Sequence, residues 1–265
     1  MNNVETHCID TQSLALAYYV APWDRPFFPG NTAAIASISV RDPTGAVKEF
    51  ARFQSWCRDN DVRLVSCRLP QERLLECGFL EAQGFRFIEL NYRPSCRNLT
   101  VFTADPEIAI APATAEDEAA IAAIASGIFA TGRLHLDPQV GPNIGDRRYA
   151  AWAANAFRNP RQSVLAVRME ERIIGFVVLE KPDPDKRFWS LIGLAPGLAG
   201  RGLGRRAWQS LLAFHSAEGV AEVTTSISSQ NLAVFNLYVS LGFRFPAPVI
   251  TLHWSPSGPL TLPPA

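Results

Sequence analysis

Several of the signals that reveal a protein's function class are missing from this sequence. The five cysteines are odd in number and show no C-x-x-C spacing, which argues against a zinc cluster or a disulfide framework and favours reduced thiols. Acidic and basic side chains cancel at 25 each, so neither nucleic acid nor an anionic membrane is indicated as a partner. We expect no membrane span, since no apolar run reaches spanning length, and the first residues show no basic-then-apolar pattern. We therefore expect a cytoplasmic protein without a metal.

Two familiar phosphate-binding signatures are also absent. No Gly-Lys-Ser/Thr closes a P-loop, and a dinucleotide fingerprint would need glycine where Arg205 stands. The chain instead has a glycine- and arginine-rich segment, 194–206, between an apolar strand-like run, 188–194, and an amphipathic helix. A glycine-rich turn at a helix N-terminus exposes backbone N–H groups at the positive end of the helix dipole. This segment predicts a phosphate or pyrophosphate site, the alternative being a turn with solvated arginines.

The chain length of 265 residues allows one large or two small domains. Thr114 and Asp117 are spaced as a capping box, and Glu170 with Glu171 marks a hairpin turn. Residues 1–20 carry little pattern, and we predict a long loop over 131–145. Three further predictions are a linker or edge segment over 94–106, a strand over 220–228 and a last strand over 249–254.

A faint internal repeat links the two halves of the chain. Gly84-Phe85-Arg86-Phe87 recurs as Gly242-Phe243-Arg244-Phe245, and each copy follows a predicted strand and helix. The first copy has Leu80 where the second has Tyr238, and Arg73 where the second has Asn231. We predict a decayed half-repeat whose first copy serves as a scaffold.

The glycine-rich segment resembles the acetyl-CoA loop of the GNAT N-acetyltransferase superfamily. The family pattern Gln/Arg-x-x-Gly-x-Gly/Ala appears here as Ala199-Gly200-Arg201-Gly202-Leu203-Gly204, after Leu194-Ala195-Pro196. Ala199 departs from the pattern, and Arg201 offers a compensating charge. The resemblance implies acetyl-CoA as cosubstrate, and it implies that the following residues bind it: Ile192, Gly193, Leu194, Ala199, Gly200, Arg201, Gly202, Leu203, Gly204, Arg205 and Asn231.

The resemblance also implies the fold and its division into domains. We expect an α/β (α+β) GNAT fold, with a mixed, mostly antiparallel sheet flanked by helices. A smaller α/β domain over residues 1–104, resembling a partial GNAT repeat, precedes the catalytic domain over 105–265.

A second stretch resembles the closing helix of that family. Asn231 and Tyr238 lie two helical turns apart and share a face, and Leu241-Gly242-Phe243 follows them; the family's alanine is shifted by one, to Ala233. The resemblance implies that Tyr238 is the general acid for the departing thiolate and that Asn231 sits beside the CoA arm. It also makes the Leu194 N–H a candidate oxyanion donor. The alternative for Tyr238 is a half-buried packing role.

The acceptor site is less clearly marked. Arg133, His135 and Asp137 alternate along the predicted loop, so an extended chain would point them together into a cleft. His135, Asp137 and Glu180 are candidate bases, and Arg133 and Tyr149 are candidate substrate-binding residues. The alternative is a solvated loop. Two stretches, 22–28 and 133–152, loosely resemble the dTDP-fucosamine acetyltransferase group.

These resemblances imply an N-acetyltransferase that joins an acetyl group to the amine of a small acceptor by direct attack on the thioester. A nucleotide-linked amino sugar is the acceptor that the group resemblance favours. Amino acid or antibiotic amines remain alternatives, as does a non-catalytic acyl-CoA sensor, which Ala199 motivates. The sequence leaves open the base, the acyl chain length and whether the protein is a homodimer.

Overall fold

The computed structural model describes residues 4–198, 202–256 and 258. Its strands are β1 (His7–Asp10), β2 (Leu14–Val20), β3 (Asn31–Val40), β4 (Val62–Pro70), β5 (Arg86–Tyr92), β6 (Ser95–Cys96), β7 (Ala109–Pro112), β8 (Gln162–Met169), β9 (Arg172–Glu180), β10 (Lys186–Leu194), β11 (Glu222–Thr225), β12 (Ile227–Ser228) and β13 (Val249–Trp254). Its α-helices are α1 (Pro43–Asp59), α2 (Leu74–Ala82), α3 (Glu118–Ile128), α4 (Arg133–Leu136), α5 (Pro142–Ala156), α6 (Leu203–Ala217) and α7 (Leu232–Ser240).

The chain forms two compact units that are interleaved along the sequence. Unit 1 takes the described residues of Met1–Asn91, Arg133–Ile144 and Ala247–Ala265, and unit 2 takes those of Tyr92–Gly132 and Gly145–Pro246. Each unit has its own apolar core. The domains expected at 1–104 and 105–265 stay a prediction.

Unit 1 is a sheet in which β1, β2, β3, β4, β13 and β5 follow one another. The pair β3–β4 is parallel, with α1 as its crossover, and the other pairs are antiparallel. Helix α1 begins at Asp42, whose carboxylate accepts the N–H groups of Thr44 and Gly45. Its apolar residues recur every three or four positions, so Phe50 and Phe53 are buried against the sheet.

Unit 2 is a sheet with the order β7, β8, β9, β10, β11, β6. The pair β10–β11 is parallel with α6 as its crossover. Strand β9 is buried on both faces, which explains its unbroken apolar sequence. Val177 and Leu179 join the core under α6, whereas Phe176 and Val178 join the core under α3 and α5. The β8–β9 turn confirms the predicted hairpin, and Glu170 and Glu171 both have positive φ there.

Each sheet is completed by a strand from the other half of the sequence. β13, near the end of the chain, lies between β4 and β5 in unit 1. β6, from the segment predicted as a linker or edge, pairs with β11 in unit 2. The expectation that 249–254 is the last strand of the second half is therefore right about the strand but wrong about the sheet it joins.

Local predictions fared unevenly. The capping box of Thr114 and Asp117 is confirmed, although it opens a 3-10 turn that leads into α3. In the stretch where the sequence shows little pattern, His7–Asp10 forms β1 and Leu14–Val20 forms β2. The loop predicted over 131–145 was wrong, since it contains α4 and the start of α5. The strand predicted over 220–228 is interrupted at Ser226.

One stretch, Ala115–Leu136, is long and apolar enough to span a membrane by length and composition alone. This departs from our expectation that no run reaches that length. The structure divides the stretch, because α3 ends at Ile128 and α4 begins at Arg133. Helix α3 has 11 residues, so it is about 16 Å long, roughly half the thickness of a bilayer core. Its Ile121 and Ala125 are buried in the core of unit 2.

Candidate functional site

The strands β10 and β11 of unit 2 separate part of the way along. They pair in parallel from Lys186 to Trp189, where the Thr225 hydroxyl donates to the Trp189 carbonyl at 2.9 Å. The Trp189 indole N–H donates to His215 Nε2 at 3.1 Å, which holds the ring at this point. Beyond it, Leu191–Leu194 pairs only with β9 among the described strands. We call this separation the fork.

Backbone groups on β10 face the open side of the fork. The N–H of Ala195 donates to Ile174 on the β9 side at 2.8 Å. Because successive N–H groups of a strand point to opposite edges, the N–H groups of Leu194 and Ile192 point away from β9. Gly193 lies beneath the end of α3, where a Cβ would stand 2.2 Å from Ile128 Cδ1. The open edge thus offers donors and acceptors for an extended ligand.

Helix α6 begins beside this edge with its first amides uncapped. Gly202, its N-cap, has φ 72° and ψ −7°, a left-handed conformation suited to glycine. Among the described residues no side chain caps the helix, and its first turn, Leu203 to Arg206, contains no acid. The three remaining loop residues of the sequence prediction, Ala199, Gly200 and Arg201, lie outside the described residues. The described part is thus an uncapped helix N-terminus, the kind of position at which anions bind in proteins.

The arginines of this turn differ in their partners. Arg206 is tied to Asp105 at 2.5 Å and also to Glu107, so these carboxylates raise its pKa and balance its charge. The charge of Arg206 is therefore already paired within the protein. Arg205 donates to the Ser240 hydroxyl at 2.8 Å and remains exposed. Arg205 is the arginine of α6 that is placed to meet an anion.

The corresponding helix of unit 1 has no such site. Helix α1 follows β3 and precedes the parallel strand β4, as α6 does between β10 and β11. Its first amides are already bonded to Asp42, whose carboxylate would repel a phosphate. The two helices therefore differ in that α1 is capped by a carboxylate and α6 is not.

Tyr238 is fully buried at the base of the fork, with 1 % of its surface exposed. Its ring packs on Phe243 with centroids 4.6 Å apart. Burial raises the pKa of its phenol, while the nearby side chains of Trp208 and Thr225 act in the opposite direction. The group therefore stays protonated at neutral pH, as a general acid must. The half-buried alternative is wrong about exposure.

Asn231 has a definite local role. Its side-chain oxygen accepts the N–H of Val234 at 3.3 Å, so it caps the N-terminus of α7. Helix α7 then lies against the start of α6, since a Cβ on Gly204 would meet Leu237 Cδ2 at 3.8 Å. Asn231 thus fixes the helix that carries Tyr238. Its predicted contact with the CoA arm stays a prediction.

Tyr149 belongs to an aromatic stack in unit 2. The centroid of its ring lies 4.4 Å from that of Phe129 and 6.3 Å from that of Trp152, and both pairs are stacked. Gly132 passes so close that a Cβ there would stand 2.3 Å from the Tyr149 hydroxyl. The stack begins at the end of α3, directly after Ile128, which contacts Gly193.

The predicted acceptor residues Arg133, His135 and Asp137 lie in unit 1. They are not extended, because Arg133–Leu136 forms the single turn α4, so the alternating arrangement was wrong. Asp137 is fully buried, which contradicts the solvated-loop alternative. It bonds His253 Nδ1 at 2.8 Å and Arg86 at 3.1 Å. Burial favours a higher pKa for Asp137, but these partners and the Gln139 amide lower it overall. A paired carboxylate of this kind is a poor base.

His253 was missed by sequence reasoning. Arg133 can only donate, so His253 Nε2 accepts from it at 3.1 Å and Nδ1 carries the proton donated to Asp137. Burial lowers the pKa of His253 to about 4. The available signal was the polar alternation of Thr251 and His253 in β13, both of them fully buried.

Acid is expected to destabilise the fold through His253. An unfolded chain binds a proton on this residue below its usual pKa of about 6.5, whereas the folded chain does so only near 4. The free energy of unfolding should therefore fall as pH drops through this window, by up to about 1.4 kcal/mol per pH unit. Urea denaturation between pH 4.5 and 7 measures the slope. His253→Gln should reduce it, leaving the part due to His215, whose pKa burial also lowers. Equal slopes would contradict the assignment.

Within residues 4–198, 202–256 and 258, no group of three or more His, Cys, Asp or Glu side chains is placed to hold a metal ion. The cysteines in this part of the chain are free thiols.

Comparison with known proteins shows what the chain is similar to. Residues 131–243 match the model of the acetyltransferase (GNAT) family. The dTDP-fucosamine acetyltransferase of Escherichia coli O6:H1 is 27% identical over 237 residues, which cover 88% of this chain and 94% of that protein. An uncharacterized N-acetyltransferase of Mycobacterium bovis is 25% identical over 130 residues, covering 47% of this chain and 81% of that protein.

Solved structures show the same fold. A GCN5-related N-acetyltransferase from Sphaerobacter thermophilus has a TM-score of 0.66 at 14% identity, covering 96% of this chain and 84% of that one. A tandem GNAT protein from the clavulanic acid biosynthesis pathway has a TM-score of 0.60 at 12% identity, covering 92% and 79%. The predicted GNAT fold is confirmed, and the tandem GNAT neighbour supports an arrangement of two domains.

Proposed function

We propose that this protein transfers an acetyl group from acetyl-CoA to the amine of a small acceptor in the cytoplasm. The premise is that the chain carries a GNAT acetyltransferase domain and is an acyltransferase. The observation that carries the proposal is the fork of unit 2. An open strand edge, an uncapped helix N-terminus and a buried phenol meet there.

Each part of the fork suits one part of the cosubstrate. The amides of Gly202 to Arg205 and the exposed Arg205 guanidinium would bind the diphosphate. The open edge of β10 at Ile192 and Leu194 would pair with the amide-containing pantetheine arm, as an added strand does. Gly193 would lie beneath the thioester. Ala199, Gly200 and Arg201 are proposed to complete the diphosphate contact.

The residues then divide the chemistry of a direct transfer. The Leu194 N–H donates to the thioester oxygen as it becomes negative when the amine nitrogen attacks the carbonyl carbon. As the carbon–sulfur bond breaks, the Tyr238 O–H donates its proton to the sulfur. The nitrogen of the acceptor loses a proton to a base. His135, half-buried on α4, is the proposed base, since Asp137 is engaged by Arg86 and His253.

We propose a nucleotide-linked amino sugar as the acceptor. The 27% identity to the dTDP-fucosamine acetyltransferase over most of both chains supports it. Arg133 would face the diphosphate of such a ligand, and Tyr149 would contact the acceptor.

Calorimetry with acetyl-CoA, followed by an assay of CoA release, tests this function. We expect micromolar binding, and turnover that depends on a dTDP-linked 4-amino-4,6-dideoxy sugar. Amino acids and aminoglycosides form the comparison panel. Binding without turnover on any amine would favour an acyl-CoA sensor, and absence of binding would overturn the proposal.

A further inference from the structure

Five side chains of unit 1 form one buried polar chain, which we call the Asp24–Arg86 network. Arg133 contacts Asp24 at 3.3 Å and His253 at 3.1 Å, and Asp137 contacts His253 at 2.8 Å and Arg86 at 3.1 Å. His253 and Asp137 have no exposed surface, and Asp24 has 3 %. Two carboxylates thus balance two guanidiniums around one neutral imidazole.

The network holds both ends of α4. Arg133 begins this helix and Asp137 directly follows it, and the two nitrogens of His253 bond one each. A helix of four residues is not stable on its own, because the entropy lost in forming its first turn exceeds the energy gained from its hydrogen bonding. Below the network, Leu134 packs into an apolar cluster with Phe28 and Leu64. The position of residues 133–139 is therefore set by the sheet of unit 1.

We propose that the Asp24–Arg86 network is a positioning device that fixes the Arg133 guanidinium and α4 for the acceptor. His253 is its central positioning residue, and its action is on acceptor affinity rather than on acetyl-CoA. This inference rests on the proposed function, because it takes residues 133–135 as acceptor contacts. It assigns a task to unit 1, whose helix α1 has no open N-terminus. That task is to orient the segment 133–135, which is proposed to bind the acceptor.

His253 also helps to set the orientation of the Arg133 guanidinium. With its proton on Nδ1, the ring presents a lone pair at Nε2, and Asp24 presents a carboxylate to the same guanidinium. Both acceptors restrict the rotation of the planar fork. Without the Nε2 acceptor of His253, the Arg133 side chain would rotate more freely. It would then lose more conformational entropy when it binds an anionic ligand.

A graded series at His253 tests the proposal. His253→Gln keeps an acceptor near Nε2 for Arg133, His253→Asn keeps a donor near Nδ1 for Asp137, and His253→Phe keeps neither. We expect the KM for the dTDP-linked amino sugar to rise at least tenfold in His253→Phe and less than threefold in His253→Gln. The KM for acetyl-CoA should stay within twofold. Hydrogen–deuterium exchange of residues 133–144 should increase most in His253→Phe.

Val65→Ala is the matched control. Val65 is fully buried on β4 in the same unit and pairs with Trp254, the neighbour of His253. Its truncation should lower Tm without changing the acceptor KM. Equal KM increases in this control and in His253→Phe would overturn the proposal, as would unchanged exchange of residues 133–144 in His253→Phe. A wild-type protein that transfers no acetyl group would refute the proposed function instead, and the exchange measurement would still decide whether the network holds α4.

Discussion

Replacing Tyr238 with Phe is expected to lower kcat by about 10²- to 10³-fold, the range typical of a lost general acid. The ring would keep its packing on Phe243, so the change removes only the O–H. Without that proton the departing thiolate must leave as an anion in a buried site, which is costly. CoA release from the fork should be followed with a thiol reagent at saturating acceptor. The Kd for acetyl-CoA should stay within twofold.

The pH profile adds a second criterion. Because burial raises the pKa of Tyr238, wild-type kcat should persist to pH values above the usual phenol pKa of about 10 unless another group limits it. Tyr92→Phe is the control, since it removes a phenol O–H elsewhere in unit 2, where Tyr92 packs on Phe235 and Phe245. Its kcat should match wild type. Retention of more than half of kcat in Tyr238→Phe would remove the phenol from the mechanism.

Replacing Gly204 with Asp is expected to weaken acetyl-CoA binding by about 30- to 150-fold. The residue lies in the first turn of α6, and a carboxylate in the same turn as the amides proposed to hold the diphosphate would repel it by about 2–3 kcal/mol at an effective dielectric constant of about 20. A Cβ fits, since the contact at 3.8 Å to Leu237 is an ordinary one. Calorimetry gives the Kd.

The same substitution should affect stability in the opposite sense. An acidic residue in the first turn interacts favourably with the helix dipole, so the Tm of the free Gly204→Asp protein should be at least that of Gly204→Asn. Gly204→Asn has the same size without the charge and is the matched control, which should retain most of the affinity. If both variants bind acetyl-CoA equally well, the amides of α6 do not hold the diphosphate.

Local signals in the sequence of unit 2 predicted several of its turns and helix ends. The glycines before α6, the asparagine that caps α7 and the paired turn residues Glu170 and Glu171 each act within a few residues of their position. Their structural effects can therefore be predicted from short segments of the sequence. Helical periodicity places Tyr238 two turns from Asn231, whereas its proposed role comes from the family resemblance.

The unit 1 network could not be read in this way. Asp24, Arg86, Asp137 and His253 come from four separate segments. The sheet register sets Arg86 beside His253, and tertiary packing brings the other two to them. Asp137 was predicted as a candidate base, and its burial depends on partners that sequence spacing does not reveal. The same holds for the strand exchange, because pairing of β13 with β4 is a contact between distant parts of the chain.

The placement of β13 has a consequence for synthesis on the ribosome. Unit 1 lacks the strand between β4 and β5 until Val249–Trp254 has emerged, long after the rest of its sheet has been translated. Until then, the edges of β4 and β5 that pair with β13 have no partner strand, and such edges are sites for mispairing. Cutting the chain between its two halves would therefore leave unit 1 without the strand that joins β4 to β5.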